Sequence, residues 1–154
     1  MGKPYPRSSF RKKIVTFYLD ECLPYKIAFY LKEVGYPITC GYEEFQQQQG
    51  LKDPYLIPYL GAKGYTWITK DDEAKKEHKN DIRTAGISVV WVRSLERQKG
   101  KPPKKNYIIV KDLHRMLTDK LDSIAEMIAN SKTTLYFLLY MKSGGIPALY
   151  KITL

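Results

Sequence analysis

The chain has 154 residues, of which 26 are Lys or Arg and 16 are Asp or Glu, so its formal net charge is +10. This length and a hydrophobic fraction of 44% predict one globular domain, and the charge favours polyanionic partners. Cys22 and Cys40, without a CxxC motif, exclude a disulfide framework and a cysteine-based zinc site, and no apolar run is long enough to cross a bilayer or form a signal-peptide core. We therefore expect a cytoplasmic protein that does not associate with a membrane.

The first predicted elements are a basic arm, a strand and a helix. Residues 1–12 carry four basic side chains and two prolines without periodicity, which predicts a flexible arm in front of a single domain over residues 13–154. From Lys13, the run KIVTFYLD is apolar and β-branched until it reaches Asp20, as is typical of a strand buried on both faces. The segment LPYKIAFYLKEVG then has an apolar stripe at helical spacing and a glycine stop signal, so it predicts a helix.

The middle of the chain alternates between strand and helix patterns. PITC predicts a short second strand, and EEFQQQQG is a polar connection. DPYLIPYLGAKG predicts a helix that opens at Asp53 and that Pro58 is expected to bend or shorten. YTWIT, DDEAKKEHKNDIRTAG and ISVVWV then repeat the order of strand, helix and strand. This alternation predicts a parallel sheet with right-handed crossovers.

After Val92 the composition shifts to a basic loop, SLERQKGKPPKKN. A long helix follows, with one apolar face that consists of Leu113, Leu117, Leu121, Ile124 and Ile128. The tail TLYFLLYMKSGGIPALYKITL reads as two strands joined by a Ser-Gly-Gly turn. We therefore predict an α/β fold in three layers, with a central, mostly parallel twisted sheet between helices and a C-terminal helix and β-hairpin.

Acidic residues follow the predicted strands. Open α/β sheets bind ligands at the carboxyl ends of their strands, where the strand order reverses, and the acids at such positions here are Asp20, Glu21, Glu43, Glu44, Asp53, Asp71 and Asp72. Carboxylates bind Mg2+ and Mn2+, which can activate water and stabilise the leaving oxygen of a phosphodiester. Helix capping is an alternative role for Asp53, Asp71 and Asp72, and simple solvation is an alternative for Glu21, Glu43 and Asp72. Asp20 directly follows a buried strand, and burying its carboxylate costs desolvation energy unless the group is paired.

Four ordered segments resemble a family of nucleases. They are FYLDECLPYKIAFYLKEVGY, EEF, LKDPYLIPYLGAKGYTWITKDDEAKK and AGISVVWV. Together they are similar to PIN-like domains grouped with toxin ribonucleases of the VapC type, especially the branch with an Asp-x-x-Leu-Pro start and a Thr-x-Asp third strand. The likeness extends from about Lys13 to Val92, and the long helix and hairpin after it are similar to that branch too.

The resemblance implies a PIN-like fold and a metal-dependent ribonuclease that binds one or two Mg2+ or Mn2+ ions. Its catalytic and metal-binding set would be Asp20, Glu44, Asp53 and Asp71, with Glu21 and Asp72 as secondary ligands. The glutamine run beside Glu44 departs from the family pattern. In the implied mechanism, a metal-activated water attacks phosphorus while the ion neutralises the developing charge. The resemblance also implies the toxin of a toxin–antitoxin pair, in which an acidic antitoxin covers the basic surface.

Basic side chains near these acids are candidates for binding RNA phosphates. They are Lys70, Lys75, Lys76 and Arg83, and Lys70 is the best placed because it stands between Thr69 and Asp71. His78, in the same charged stretch, is predicted to be a solvated helix residue. Two other functions stay open: a non-catalytic RNA-binding or scaffold domain with this fold, and a nuclease that acts on DNA. Formation of a homodimer is also left open.

Overall fold

The computed structural model describes residues 14–46, 52–94, 108, 110–142 and 145–154. The predicted basic arm over residues 1–12 and the basic loop over residues 97–105 lie outside the described residues. The described part is a six-stranded, mostly parallel sheet with helices on both faces, which confirms the predicted α/β class. Among its helices, none is both long enough and apolar enough to cross a membrane.

The strands and helices follow the predicted order. The strands are β1 (Thr16–Leu19), β2 (Ile38–Cys40), β3 (Tyr65–Thr69), β4 (Val89–Ser94), β5 (Tyr136–Lys142) and β6 (Ile146–Ile152). The helices are α1 (Tyr25–Glu33), α2 (Gly41–Glu44), α3 (Asp53–Lys63), α4 (Glu73–Glu77), α5 (Lys79–Ala85) and α6 (Val110–Asn130).

Two of the predicted helices have a different extent in the structure. The charged segment after β3 forms two short helices rather than one, because the backbone of His78 leaves helical geometry at φ −119° between α4 and α5. Helix α3 continues through Pro58 as far as Lys63. Pro58 has no N–H to donate to the carbonyl of Pro54, so α3 lacks one interior backbone hydrogen bond without ending there. Gly64, at φ 72°, ends it instead.

The strand order of the sheet is β2-β1-β3-β4-β5-β6, and only β6 pairs antiparallel with its neighbour. Strand β2 lies on one side of β1 and β3 on the other, so the order reverses between β1 and β3. Leu19, the last residue of β1, is in register with Cys40 and with Ile68. The carboxyl ends of the first three strands therefore meet at one edge of the sheet, where ligands of such sheets bind.

Each face of the sheet has its own core. On the α1/α6 face, Phe17, Leu19 and Ile68 pack with the buried side of both helices. The five apolar residues predicted for the face of α6 are all buried there, as expected: Leu113, Leu117, Leu121, Ile124 and Ile128. On the α3/α5 face, Trp67 and Trp91 pack with side chains of α3, α4 and α5. These cores hold the strand ends in fixed positions.

One crossover differs in hand from the other three. The connection from β1 to β2 runs in one direction across the sheet with α1 on one face, and the connections from β2 to β3 and from β3 to β4 run in the other direction with their helices on the other face. These three connections therefore share one hand. The connection from β4 to β5 runs in the same direction across the sheet as the connection from β3 to β4, but its helix α6 lies on the opposite face, together with α1. This connection therefore has the opposite hand. The predicted right-handed crossovers are those of the alternating strands and helices as far as β4, and these connections share one hand. Helix α6 buries its apolar side on the same face of the sheet as α1.

Candidate active site

Asp20 is a buried carboxylate at the end of β1, only 8% exposed. Its Oδ2 accepts hydrogen bonds from Thr69 Oγ1 at 2.6 Å and Cys22 Sγ at 3.3 Å, and its Oδ1 accepts one from the Glu21 N–H at 2.9 Å. Burial raises the pKa of Asp20, whereas these hydrogen bonds oppose that rise. Asp20 therefore has the partners that its burial requires.

Asp71 lies two residues beyond β3 and is linked to Asp20 through one hydroxyl group. The Asp71 N–H donates to Thr69 Oγ1 at 3.1 Å, and the same hydroxyl donates its proton to Asp20. The indole N–H of Trp91 donates to the Asp71 carbonyl at 3.1 Å. Asp71 Oδ1 accepts the N–H of Glu73 at 3.0 Å, so the capping role considered for this residue is partly real. One hydroxyl thus fixes both acids.

Asp53 is the first residue of α3 and the third acid at this edge. Lys52 occupies the N-cap position, so Asp53 does not serve as the helix cap. Burial raises the pKa of Asp53 to about 6, with further increases from the charges of Asp20 and Asp71. The side chain of Asp71 also acts on Asp53 as a hydrogen-bonding partner. Three carboxyl groups from three separate segments are therefore electrostatically coupled.

His78 faces this group of acids, and its predicted solvated role is wrong. Its side chain is only 16% exposed, with Nε2 4.0 Å from Asp53 Oδ2 and Nδ1 3.7 Å from Asp81 Oδ2. The imidazole lowers the pKa of Asp53, against the effects of burial and of the other two acids. The break between α4 and α5 turns His78 inward, and the sequence pattern of a continuous charged helix does not reveal that break.

Glu44 has different contacts from the three aspartates. Its carboxylate accepts a hydrogen bond from the Tyr59 hydroxyl at 3.3 Å. Burial raises the pKa of Tyr65 to about 12, and the hydrogen bond and charge of Glu44 contribute to that rise. Glu43 pairs with Lys32 at 2.6 Å. The structure thus places Glu44 among tyrosines on the α3/α5 face.

Glu21 is exposed, and its side chain lies next to Gly41 at the start of α2. A Cβ at Gly41 would lie 3.0 Å from Glu21 Oε1 and 2.8 Å from the Tyr18 hydroxyl. The Tyr18 hydroxyl is fully buried and has no hydrogen-bond partner among the described residues. Burial, followed by the charges of Asp20 and Glu21, raises the pKa of Tyr18 far above its ordinary value. A glycine is therefore required where α2 approaches the end of β1.

The predicted phosphate-binding residues nearest the acids are Lys70, Lys75 and Lys76. Lys70 is half-buried between Thr69 and Asp71, and Lys76 is exposed. The Lys75 ammonium lies 4.9 Å from the centroid of the Trp91 ring and 3.3 Å from Asp72 Oδ1, and burial lowers its pKa. This part of the surface therefore carries positive charge beside the carboxylates.

Asp72 and Arg83 lie outside the group formed by Asp20, Asp53 and Asp71. Asp72 Oδ1 binds Arg93 at 2.6 Å as well as Lys75, so its carboxylate is held by cations. The guanidinium of Arg83 donates to the backbone oxygen of Leu154. Leu154 follows β6, whose end pairs with the first residue of β5. The structure therefore places Arg83 at the amino ends of the parallel strands, opposite the acids.

The acid group has the donor chemistry that a hard divalent cation requires. Asp20, Asp53 and Asp71 offer carboxylate oxygens, and their mutual repulsion is what a bound cation relieves. Within the described ranges, no three His, Cys, Asp or Glu side chains are arranged so that they could hold an ion as they stand. Three donors already occupy the Asp20 oxygens. Donor type and charge thus fit Mg2+ or Mn2+, while binding would require the carboxylates to rotate towards each other.

Thr69, Cys22 and Tyr18 are the site residues that sequence reasoning missed. Cys22 is an exposed residue, but desolvation of its thiol, and then the charge of Asp20, raise the pKa of the thiol to about 12, so it stays protonated and donates to that carboxylate. Thr69 stands in the Thr-x-Asp pattern, which was a signal for its role. Cys22 and Tyr18 carried no comparable signal, because a small thiol and a tyrosine in an apolar strand are typical core residues.

Comparison of the chain with protein-family models, with curated proteins and with solved structures found no match. The likeness to PIN-like domains therefore rests on the sequence motifs alone, and the structure adds the α/β architecture and the positions of the acids.

Proposed function

We propose that this chain is a metal-dependent nuclease that hydrolyses RNA phosphodiesters at the edge formed by Asp20, Asp53 and Asp71. One observation carries this proposal: acids from three separate segments lie together at the ends of β1 and β3, with Asp20 and Asp71 joined through the Thr69 hydroxyl. Asp53 is close enough that burial, and then the charges of Asp20 and Asp71, raise its pKa to about 6. Packing gives no reason to gather three acids from separate segments at the reversal point of the sheet, because doing so costs repulsion and desolvation. Such perturbed groups are typical of functional sites.

Asp20, Asp53 and Asp71 would hold Mg2+ or Mn2+ in this proposal. The bound ion would lower the pKa of a water ligand and neutralise charge on the phosphate. Thr69 positions Asp20. The Thr69 hydroxyl oxygen accepts the N–H of Asp71, and the hydroxyl proton is donated to Asp20 Oδ2. His78 lies beside Asp53, and its imidazole lowers the pKa of that carboxyl group.

Two other acids of the predicted set, Asp72 and Glu44, have supporting roles in the proposed enzyme. Asp72 holds Lys75 and Arg93 in place beside the site. Glu44 stabilises Tyr59 through a hydrogen bond and is not assigned as a metal ligand here. The choice of RNA over DNA and the role as a toxin with an acidic antitoxin both derive from the family resemblance. The net charge of +10 supports an acidic partner and a nucleic-acid substrate equally well.

A non-catalytic RNA-binding domain is the second candidate function. The observation that favours it is the pairing of the acids with protein donors: three donors bind the Asp20 carboxylate, and Asp71 Oδ1 caps the start of α4. In that case the acids would order the loops of the site, and the domain would bind RNA without hydrolysing it.

Cleavage assays separate these two candidates. Labelled RNA and single-stranded DNA are incubated with the protein in Mn2+, in Mg2+ and in EDTA. We expect RNA cleavage with either metal, none in EDTA, and a loss of about a hundredfold or more in Asp20→Asn, since removing one charge-stabilising group costs about that much. Asp122→Asn, at an exposed position of α6, is the matched control and should cleave at the wild-type rate. Wild-type protein that binds RNA without cutting it would support the second candidate.

A further inference from the structure

Two tyrosines stack on each other on the surface of the C-terminal hairpin. The rings of Tyr140 and Tyr150 have centroids 5.4 Å apart and are inclined by only 10°, and the Tyr140 hydroxyl donates to the Tyr150 hydroxyl at 3.1 Å. Tyr150 is 45% exposed. The register pairs Leu138 with Tyr150 and Tyr140 with Ala148, so the two tyrosines share one face of the hairpin. This pair offers a flat aromatic surface to solvent.

The stacked pair lies on the same side of the sheet as the site's Trp91. Trp91 pairs with Leu138, and Arg93 pairs with Tyr140, so side chains of β4, β5 and β6 form one continuous row. Trp91 begins that row, since its indole donates to the Asp71 carbonyl. Neighbouring strands are about 4.8 Å apart, so the row extends roughly 14 Å from β3 to β6.

Cations border this row on the side of the site and at the hairpin turn. Lys75 lies over the Trp91 ring, and the Arg93 side chain is 39% exposed. Lys142 is exposed at the end of β5. Because it follows Tyr140 by two residues in the strand, the two side chains are on the same face of the sheet. The hydrogen bond from Tyr140, and then the charge of Lys142, lower the pKa of Tyr150. Asp72 contacts two of these cations, Lys75 and Arg93.

We propose that the exposed part of this row, which we call the tyrosine platform (Arg93, Tyr140, Lys142 and Tyr150), binds single-stranded nucleic acid. Bases stack on the tyrosine rings, while Arg93 and Lys142 bind phosphates. A single strand fits this surface because unpaired bases expose the flat faces that aromatic rings bind, whereas duplex bases do not. Delivery of the strand to Asp71 rests on the proposed nuclease function, but binding to the platform does not.

A second copy of the chain is the competing occupant of this hairpin. Strand β6 is at the edge of the sheet, and exposed edges tend to pair with other strands. Pro147 lies within β6, and proline lacks the N–H that such pairing needs. The exposed cations bordering the platform repel those of a second copy and attract phosphates. These features favour nucleic acid over self-association.

The aromatic part of the platform is tested by equilibrium binding in EDTA, where no metal supports cleavage. Fluorescence anisotropy measures the Kd of a labelled single-stranded RNA of about ten nucleotides. We expect Tyr150→Leu to weaken binding roughly tenfold, because stacking on one ring contributes that order of affinity. Tyr150→Phe keeps the ring and should restore wild-type binding. Tyr30→Leu, which removes a tyrosine that is 55% exposed on α1, should leave the Kd unchanged.

The charged part of the platform has a matched control on the same hairpin. Lys151 pairs with Phe137, a core residue of the α1/α6 face, so Lys151 projects from the side opposite the platform. Lys142→Gln and Lys151→Gln remove the same charge. We expect only Lys142→Gln to reduce the slope of log K against log salt, by roughly 0.7.

Several results would overturn the tyrosine platform. One is wild-type RNA affinity in Tyr150→Leu, with retained folding shown by thermal unfolding. Another is equal affinity for duplex and single-stranded RNA. A third is a dimer of the wild-type protein in light scattering that Tyr150→Leu converts to monomer. Failure of the proposed nuclease is distinguishable: a wild-type protein that binds single strands through Tyr150 but never cleaves RNA keeps the platform and loses the nuclease function.

Discussion

Replacing Thr69 with valine removes the hydroxyl that joins the two acids at the ends of β1 and β3, with little change in shape. Thr69 is fully buried and donates to Asp20 at 2.6 Å. A hydrogen bond to a charged group contributes about 1.5–3 kcal/mol, and the N–H of Asp71 also loses its acceptor. We therefore expect Thr69→Val to lower the free energy of unfolding by about 2–3 kcal/mol near neutral pH. Urea titration in EDTA measures this difference.

The pH dependence of the Thr69→Val effect follows from the sign of the Asp20 shift. Burial raises the pKa of Asp20 in the folded protein, and the Thr69 hydrogen bond opposes that rise. The folded state therefore binds more protons than the unfolded state above the ordinary pKa of an aspartate, so stability falls as pH rises through that window. Thr69→Val raises the folded pKa further, which makes the loss of stability larger at about pH 8 than at about pH 5.

A pH-independent effect of Thr69→Val would refute this reasoning, and so would a loss below about 0.5 kcal/mol at pH 8. Thr66→Val is the matched control, because Thr66 is also buried but lies near the other end of β3. We expect its effect on the free energy of unfolding to be the same at both pH values.

Three further changes test other parts of the account. The pKa of Asp53 is raised from 3.8 to about 6, so its ionisation destabilises the fold progressively as pH rises from about 4 to about 6. We expect metal-free Asp53→Asn to exceed wild-type stability by about 1 kcal/mol at pH 7.5, after allowance for solvent screening, and to lose this advantage at about pH 4 in urea titrations. Gly41→Ala places a Cβ 2.8 Å from the Tyr18 hydroxyl, and this overpacking should cost about 1–3 kcal/mol in the same assay, whereas unchanged stability would show that the ring moves freely. Leu117→Ala, in the buried face of α6, should cost about 2–5 kcal/mol, and a loss under 1 kcal/mol would contradict the α1/α6 core.

The acids at the strand ends were the most predictable part of the site. Asp20 and Asp71 follow strands of strong apolar character, and the carboxyl ends of parallel strands meet at one edge. Their closeness therefore follows from local patterns and the rule for strand order. Asp53 was predicted to open a helix, but its coupling to the other acids depends on how α3 packs on the sheet.

Glu44 and His78 show where reasoning from the sequence stops. Glu44 lies in a one-turn helix whose orientation is set by contact with Tyr59, a residue of α3. His78 turns inward because the charged segment breaks into two helices. Both outcomes depend on tertiary packing between segments distant in the chain, which helical periodicity does not encode. The reversed hand of the crossover through α6 has the same kind of origin.

Cation binding by the metal-free protein tests the central claim most directly. Isothermal titration calorimetry at about pH 7.5 measures the binding of Mn2+ to each protein and so compares the acids one by one. The proteins are the wild type, Asp20→Asn, Asp53→Asn, Asp71→Asn and Glu44→Gln. We predict that wild-type and Glu44→Gln bind Mn2+ alike, and that each aspartate variant binds at least about tenfold more weakly. Absence of Mn2+ binding by the wild type, or equal binding by all five proteins, would contradict a metal site formed by the three aspartates.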